Sequence, residues 1–160
     1  MPSAGTPLRD VARPAPAAPV RSYAREFPAR LDQVRAARRF AAGFLKGFPA
    51  AGDAVLCVSE LAANAVIHSA SSRLGGVFAV RAELVRGSYV RIEVHDGGGQ
   101  WTRRAHHDGR PHGLDLVACL AAGYGVDGSA MAGWTSWVRL DWAPGAASPM
   151  PADGRSASYP

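Results

Sequence analysis

The spacing of apolar positions along the chain changes several times, and each change predicts an element. Tyr23 to Phe27 alternates and predicts a short edge strand that Pro28 ends. From Arg30 to Leu45 the apolar positions Leu31, Val34, Ala37, Phe40, Ala41, Phe44 and Leu45 follow helical spacing, with Arg35, Arg38 and Arg39 on the wet side. Gly47 and Pro49 break that helix, and Asp53 is the expected N-cap of a second one running to about Ser69. After a turn-rich loop from Ser71 to Gly76, Val77–Val85 and Tyr89–His95 alternate as strands joined by the tight turn Arg86-Gly87-Ser88. Gln100 to His112 is polar, rich in Arg and His, and without period. Gly113–Ala122 is helical, and Tyr124–Asp127 and Trp134–Asp141 close the pattern as strands. Hairpins broken by helices predict an α/β (α+β) two-layer sandwich, with a mixed, mostly antiparallel sheet and helices packed on one face.

Length and composition bound this picture. A chain of 160 residues with 48% apolar residues suits one domain with a real core. Residues 1–21 and 143–160 are Pro/Ala-rich without periodicity and read as disordered tails, leaving residues 22–142 as the folded part. That part holds 14 Lys and Arg against 11 Asp and Glu, a net charge of +3. The basic residues are scattered, with no aromatic-interleaved patch, so direct nucleic-acid binding is not expected. Cys57 and Cys119 both fall in predicted helices among apolar neighbours, where buried, reduced thiols are expected, and no zinc-like CxxC spacing exists. No apolar leader or membrane-length run is present, which predicts a soluble cytoplasmic protein.

Three segments carry candidate chemistry. In the second helix Glu60, Asn64 and His68 recur every four residues among the apolar or small positions Val55, Leu56, Val58, Leu61, Ala62, Ala63, Ala65, Val66 and Ile67. A four-residue step rises about 6 Å and turns only about 40° past a full turn, so these groups form one polar stripe on an apolar cylinder. A carboxylate base beside a neutral oxygen donor is what Mg²⁺-dependent phosphate chemistry requires. A narrow polar face on an amphipathic helix would look the same. Asp96-Gly97-Gly98-Gly99 ends a strand: the glycines permit close backbone approach and the Asp can accept from an exocyclic amine, although alone it reads as an Asp-Gly turn. Gly109-Arg110-Pro111-His112-Gly113-Leu114 opens a helix, whose free N–H groups suit an anion but which also reads as an ordinary loop-to-helix junction.

In order and spacing these segments resemble the GHKL ATP-binding fold, also called the Bergerat fold, and most closely the small anti-sigma factor serine/threonine kinases of actinobacteria. SELAANAVIHS is similar to that family's N box, EVHDGGGQW to its G1 box and GRPHGLDLVACLA to its G2 box, over roughly residues 24–141. The resemblance implies ATP and Mg²⁺ as cofactors, Glu60 as general base and Asn64 as the metal ligand. It implies Asp96 on the adenine amino group, Gly98 clearing space for the base, and Gly109, Gly113 and the Leu114 amide at the phosphate end. Thr135 resembles the family's hydroxyl beside adenine, by a looser match. For His68 a hydrogen bond at the helix end is favoured over catalysis. Gln100 stands where the family often has a glycine, and the Gln100–His112 lid lacks a full glycine run.

The implied function is phosphorylation of a Ser or Thr on an anti-anti-sigma (STAS-type) partner, with a sigma factor as a competing partner and a homodimer as a possible assembly. An ATP-gated binding module without phosphoryl transfer is the alternative. A histidine-kinase catalytic half fits less well, since no dimerisation helices precede the domain, and a DNA-binding regulator is disfavoured by the scattered charge.

Overall fold

The computed structural model describes residues 18–68, 75–99 and 113–142. The elements run β1 (Val20–Pro28), α1 (Leu31–Phe44), α2 (Ala51–His68), β2 (Val77–Val85), β3 (Tyr89–His95), α3 (Gly113–Leu120), β4 (Gly123–Ser129) and β5 (Gly133–Asp141). The five strands form one sheet in the order β1-β2-β3-β5-β4. All four pairings are antiparallel, so the expected two-layer sandwich stands, while the mixed sheet resolves into a wholly antiparallel one among the described residues. β1 lies at the edge, as its short alternation predicts.

Period-two alternation decides which face is covered. Phe78, Val80, Ala82 and Leu84 of β2, Val90, Ile92 and Val94 of β3, and Ser136, Val138 and Leu140 of β5 are buried on one face. The helices close over that face: α2 packs against β2, β3 and β5, with α1 beside it and α3 on its other flank. α2 supplies Ala54, Cys57, Val58, Leu61, Ala62, Ala65 and Val66 to the core. The Phe27 and Phe78 rings stack at 5.4 Å where β1 meets β2. Burying each large side chain of this set contributes about 1.5–3 kcal/mol, which holds α2 on the sheet more firmly than helix propensity does.

The other face of the sheet carries the alternate residues. Arg81 and Glu83 of β2 stand opposite Glu93 and Arg91 of β3. The Arg91 guanidinium lies 4.2 Å from the Trp137 ring centroid, and Arg139 lies 4.4 Å from that of Tyr89. A depression of about 380 Å³ opens among Ser22, Arg81, Glu83, Arg91 and Glu93. Trp137 lies flat over β4, where a Cβ on Gly125 would come 2.8 Å from the indole nitrogen. Its Nε1–H donates to Asp127 at 3.1 Å, so the glycines of β4 make room for a ring that covers them.

Several expectations shift. β1 is longer than the expected Tyr23–Phe27, because Val20 and Arg21 pair with Val85 and Leu84 at the far end of β2. Asp53 is not the N-cap of α2. The helix starts at Ala51, Ala54 N–H donates to the Ala50 carbonyl, and Asp53 lies in the first turn, where its charge still favours the helix dipole. Cys119 is exposed rather than buried, because α3 turns only Val117 fully into the core. Cys57 is buried, and that burial, reinforced by Asp53 and Glu60, pushes its thiol up to about 12. It therefore stays protonated and unreactive. No helix among the described residues is long and apolar enough to cross a membrane. Gly109 and the rest of the Gln100–His112 segment lie outside the described residues, as does the tail 143–160.

Candidate functional site

Helix α2 presents its polar stripe beside the start of α3. Glu60, Asn64 and His68 are each half-buried, between the core residues of the helix and its exposed edge. A Cβ built on Gly113 would lie 3.1 Å from Glu60 Oε2 and 3.7 Å from both Asn64 Oδ1 and Nδ2. The first residue of α3 thus sits against the acid and the amide, at a distance a larger side chain would crowd. The first turn of a helix carries backbone N–H groups without intrahelical partners, together with the positive end of the dipole. Two side chains with oxygen donors and one helix start are therefore brought together by residues 49 or more positions apart in sequence. Leu114 follows, half-buried, with its side chain against the core.

The second cluster forms where β3 ends. Asp96 continues the inward alternation of Val90, Ile92 and Val94 and is 4% exposed. Its Oδ1 accepts from the Gly98 N–H at 2.8 Å and the Trp134 N–H at 3.2 Å. Its own N–H donates to the Trp134 carbonyl at 2.9 Å, which extends the β3–β5 ladder. Gly98 and Gly99 adopt φ of +79° and +93°, the left-handed region that favours glycine. A Cβ on Gly98 would meet the Ala130 carbonyl oxygen at 2.5 Å, and Gly99 N–H donates to that same oxygen at 2.8 Å. The turn between β4 and β5 is thus one reason why position 98 must be glycine. Both clusters lie on the helix-covered side of the sheet.

Thr135 does not join them. It pairs with His95 across β3 and β5, and its Oγ1 lies 3.0 Å from His95 Nδ1 on the uncovered face. The hydroxyl that β5 brings to the Asp96 side is Ser136, 7% exposed and paired with Val94. Neither Ser136 nor Trp134 figures among the expected site residues. The signal for Ser136 was present as a polar residue in the apolar row Ser136–Val138–Leu140, where a one-residue slip moves a side chain to the other face.

Burial raises the Asp96 carboxyl above its ordinary value, against the lowering effect of the Gly98 and Trp134 N–H groups and the nearby His95. An acid whose folded pKa is raised costs stability when ionised: the cost is present above the folded pKa and is relieved as pH falls toward the unfolded value of about 4. Asp96→Asn keeps an oxygen for both backbone donors while removing the buried charge. It is expected to hold or raise the melting temperature at pH 7, to flatten the rise in stability on acidification that Asp96 contributes, and to weaken binding of adenine nucleotides. Thermal melts from pH 4 to pH 8 with matched ATP titrations check this. An Asp-Gly turn with no ligand role would leave the titrations unchanged.

The family model that describes the histidine kinase-like ATPase domain matches residues 27–126. No curated protein matches the chain significantly. The matched span takes in α1, α2, β2, β3, α3, the last two residues of β1 and the first half of β4, and contains Glu60, Asn64, Asp96, Gly98, Gly113 and Leu114. By that match, and with a helix layer over an antiparallel sheet, the chain belongs to the histidine kinase-like ATPase domain family.

Proposed function

We propose that this domain binds ATP with Mg²⁺ and transfers the γ-phosphoryl group to a serine or threonine of a partner protein, in the manner of an anti-sigma factor kinase. The observation that carries the reading is the packing of Gly113 against Glu60 and Asn64, which sets a helix start over an acid and an amide. A carboxylate and a carboxamide oxygen are hard donors suited to Mg²⁺ chemistry, so the residues present fit the metal. When bound, Mg²⁺ supplies positive charge against the triphosphate. Asn64 would hold it through its side-chain oxygen, and the backbone N–H groups of Gly113 and Leu114 would donate to phosphate oxygens. Asp96 accepts from the adenine amino group, and Ser136 stands beside it as the hydroxyl of that end. Glu60 takes the proton from the acceptor hydroxyl as its oxygen bonds to the γ-phosphorus, the bond to the bridging oxygen breaks and ADP leaves. Such catalysis is positioning and charge stabilisation.

The partner in this reading is an anti-anti-sigma (STAS-type) protein, with a sigma factor competing for the same chain in the cytoplasm. A homodimer is the proposed assembly, and no direct contact with nucleic acid is involved. The test is equilibrium binding of ATP to the full chain with and without Mg²⁺, followed by transfer of labelled γ-phosphate to a partner captured from the host cell. Tighter binding with Mg²⁺ and label on a partner Ser or Thr are expected. Binding without transfer to any partner selects an ATP-gated binding module instead. A chain that ignores ATP at millimolar concentration in Mg²⁺ has neither function.

A further inference from the structure

Trp134 is bonded to both ends of the segment that carries Asp96, and we propose that it is the positioning residue for the nucleobase end of the site. The proposal rests on the adenine-nucleotide reading above. The Trp134 backbone N–H donates to Asp96 Oδ1 at 3.2 Å, and its carbonyl accepts from the Asp96 N–H at 2.9 Å. The indole Nε1–H donates to the Gly99 carbonyl at 3.0 Å. Asp96 and Gly99 are thereby held by one residue of β5, a strand paired on both sides by β3 and β4.

The segment in between needs such a hold. Gly98 and Gly99 sit at φ of +79° and +93°, and glycine backbone has the most conformational freedom to lose. The Asp96–Gly98 bond closes the first half of the segment, and the Gly99–Ala130 and Gly99–Trp134 bonds fix the second. Of these, the indole bond is the one that depends on a long side chain. It also acts on the acid. The Gly98 and Trp134 N–H groups both donate to Oδ1, and in this proposal Oδ2 is the oxygen that meets a base. A loose Gly98–Gly99 backbone would let the Gly98 donor leave and the carboxylate rotate. Trp134 is a positioning residue and not a catalytic one, because its contacts are to the loop and not to reacting atoms.

Trp134→Phe in the full chain keeps a ring and removes the indole donor. ATP affinity in Mg²⁺ is expected to fall about tenfold, the usual scale for one hydrogen bond that orders a binding loop. Affinity for inorganic tripolyphosphate, which has no base, is expected to stay unchanged, and amide hydrogen exchange at Gly98 and Gly99 to quicken. A merely structural role would weaken ATP and tripolyphosphate equally and lower the melting temperature, and that result overturns the proposal. So does a variant that binds ATP as the wild type does. In the wild-type chain the Trp134 indole N–H resonance is expected to shift with ATP and not with tripolyphosphate. No shift at saturating ATP overturns the proposal whether or not the variant folds. A wild-type chain that binds no ATP instead brings down the function itself, which separates the two failures.

Discussion

Glu60→Gln is expected to leave ATP affinity nearly intact and to slow phosphoryl transfer by about 10²–10⁴-fold, the range over which a positioned general base acts. The choice of glutamine follows from the packing. Oε2 lies 3.1 Å from where a Cβ on Gly113 would stand, so truncation would open space beneath the start of α3, whereas an amide refills it. The substitution removes the proton acceptor and one negative charge while keeping the shape. The nucleotide with its Mg²⁺ keeps a net negative charge, so removing a nearby carboxylate charge is expected to leave binding nearly intact, and the loss falls on the chemical step. Single-turnover transfer to the partner, measured beside equilibrium ATP binding, separates the two quantities. Transfer at the wild-type rate would strip Glu60 of the base role. Parallel loss of transfer and of thermal stability would make it a structural acid instead.

The legibility of the fold tracks how local its causes are. β2 and β3 emerge at their full extent because Phe78, Val80, Ala82 and Leu84, then Val90, Ile92 and Val94, alternate without a break under α2. The stripe Glu60-Asn64-His68 was readable because helical period alone puts it on one face. Its meeting with Gly113 was not readable from period, since it arises from α2 and α3 packing across a long stretch of chain. The same holds for the cluster at β3. That Asp96 ends a strand and that glycines follow it are sequence facts, but the demand for glycine at 98 comes in part from the Ala130 carbonyl, on a turn more than 30 residues later. Thr135 and Ser136 were indistinguishable as hydroxyls until the register of β5 against β3 placed Ser136 with Val94 and Thr135 with His95. The start of β1 was hidden by its composition. Val20 and Arg21 follow a Pro/Ala-rich stretch, and only pairing with Leu84 and Val85 makes them strand.

Asn64→Ala is expected to remove most of the Mg²⁺-dependent part of ATP affinity, a loss of about 10- to 100-fold in Mg²⁺, while binding in excess chelator stays as in the wild type. Asn64 offers its carboxamide oxygen next to Gly113, and alanine offers no donor there. Folding is not a competing explanation. The residue is half-buried on a helix, and alanine has the higher helix propensity by several tenths of a kcal/mol, so the melting temperature is expected to hold or rise. A variant that folds at least as well yet loses only its metal-dependent affinity can be explained by a lost ligand and not by a lost core. Asn64→Asp supplies an oxygen at the same position with added charge, and is expected to retain Mg²⁺ dependence where alanine does not. Calorimetric titration of ATP into the three proteins, in Mg²⁺ and in chelator, gives all six affinities. Wild-type Mg²⁺ dependence in Asn64→Ala would take the metal away from this residue, and the polar stripe on α2 would then be a feature of packing rather than of phosphate chemistry.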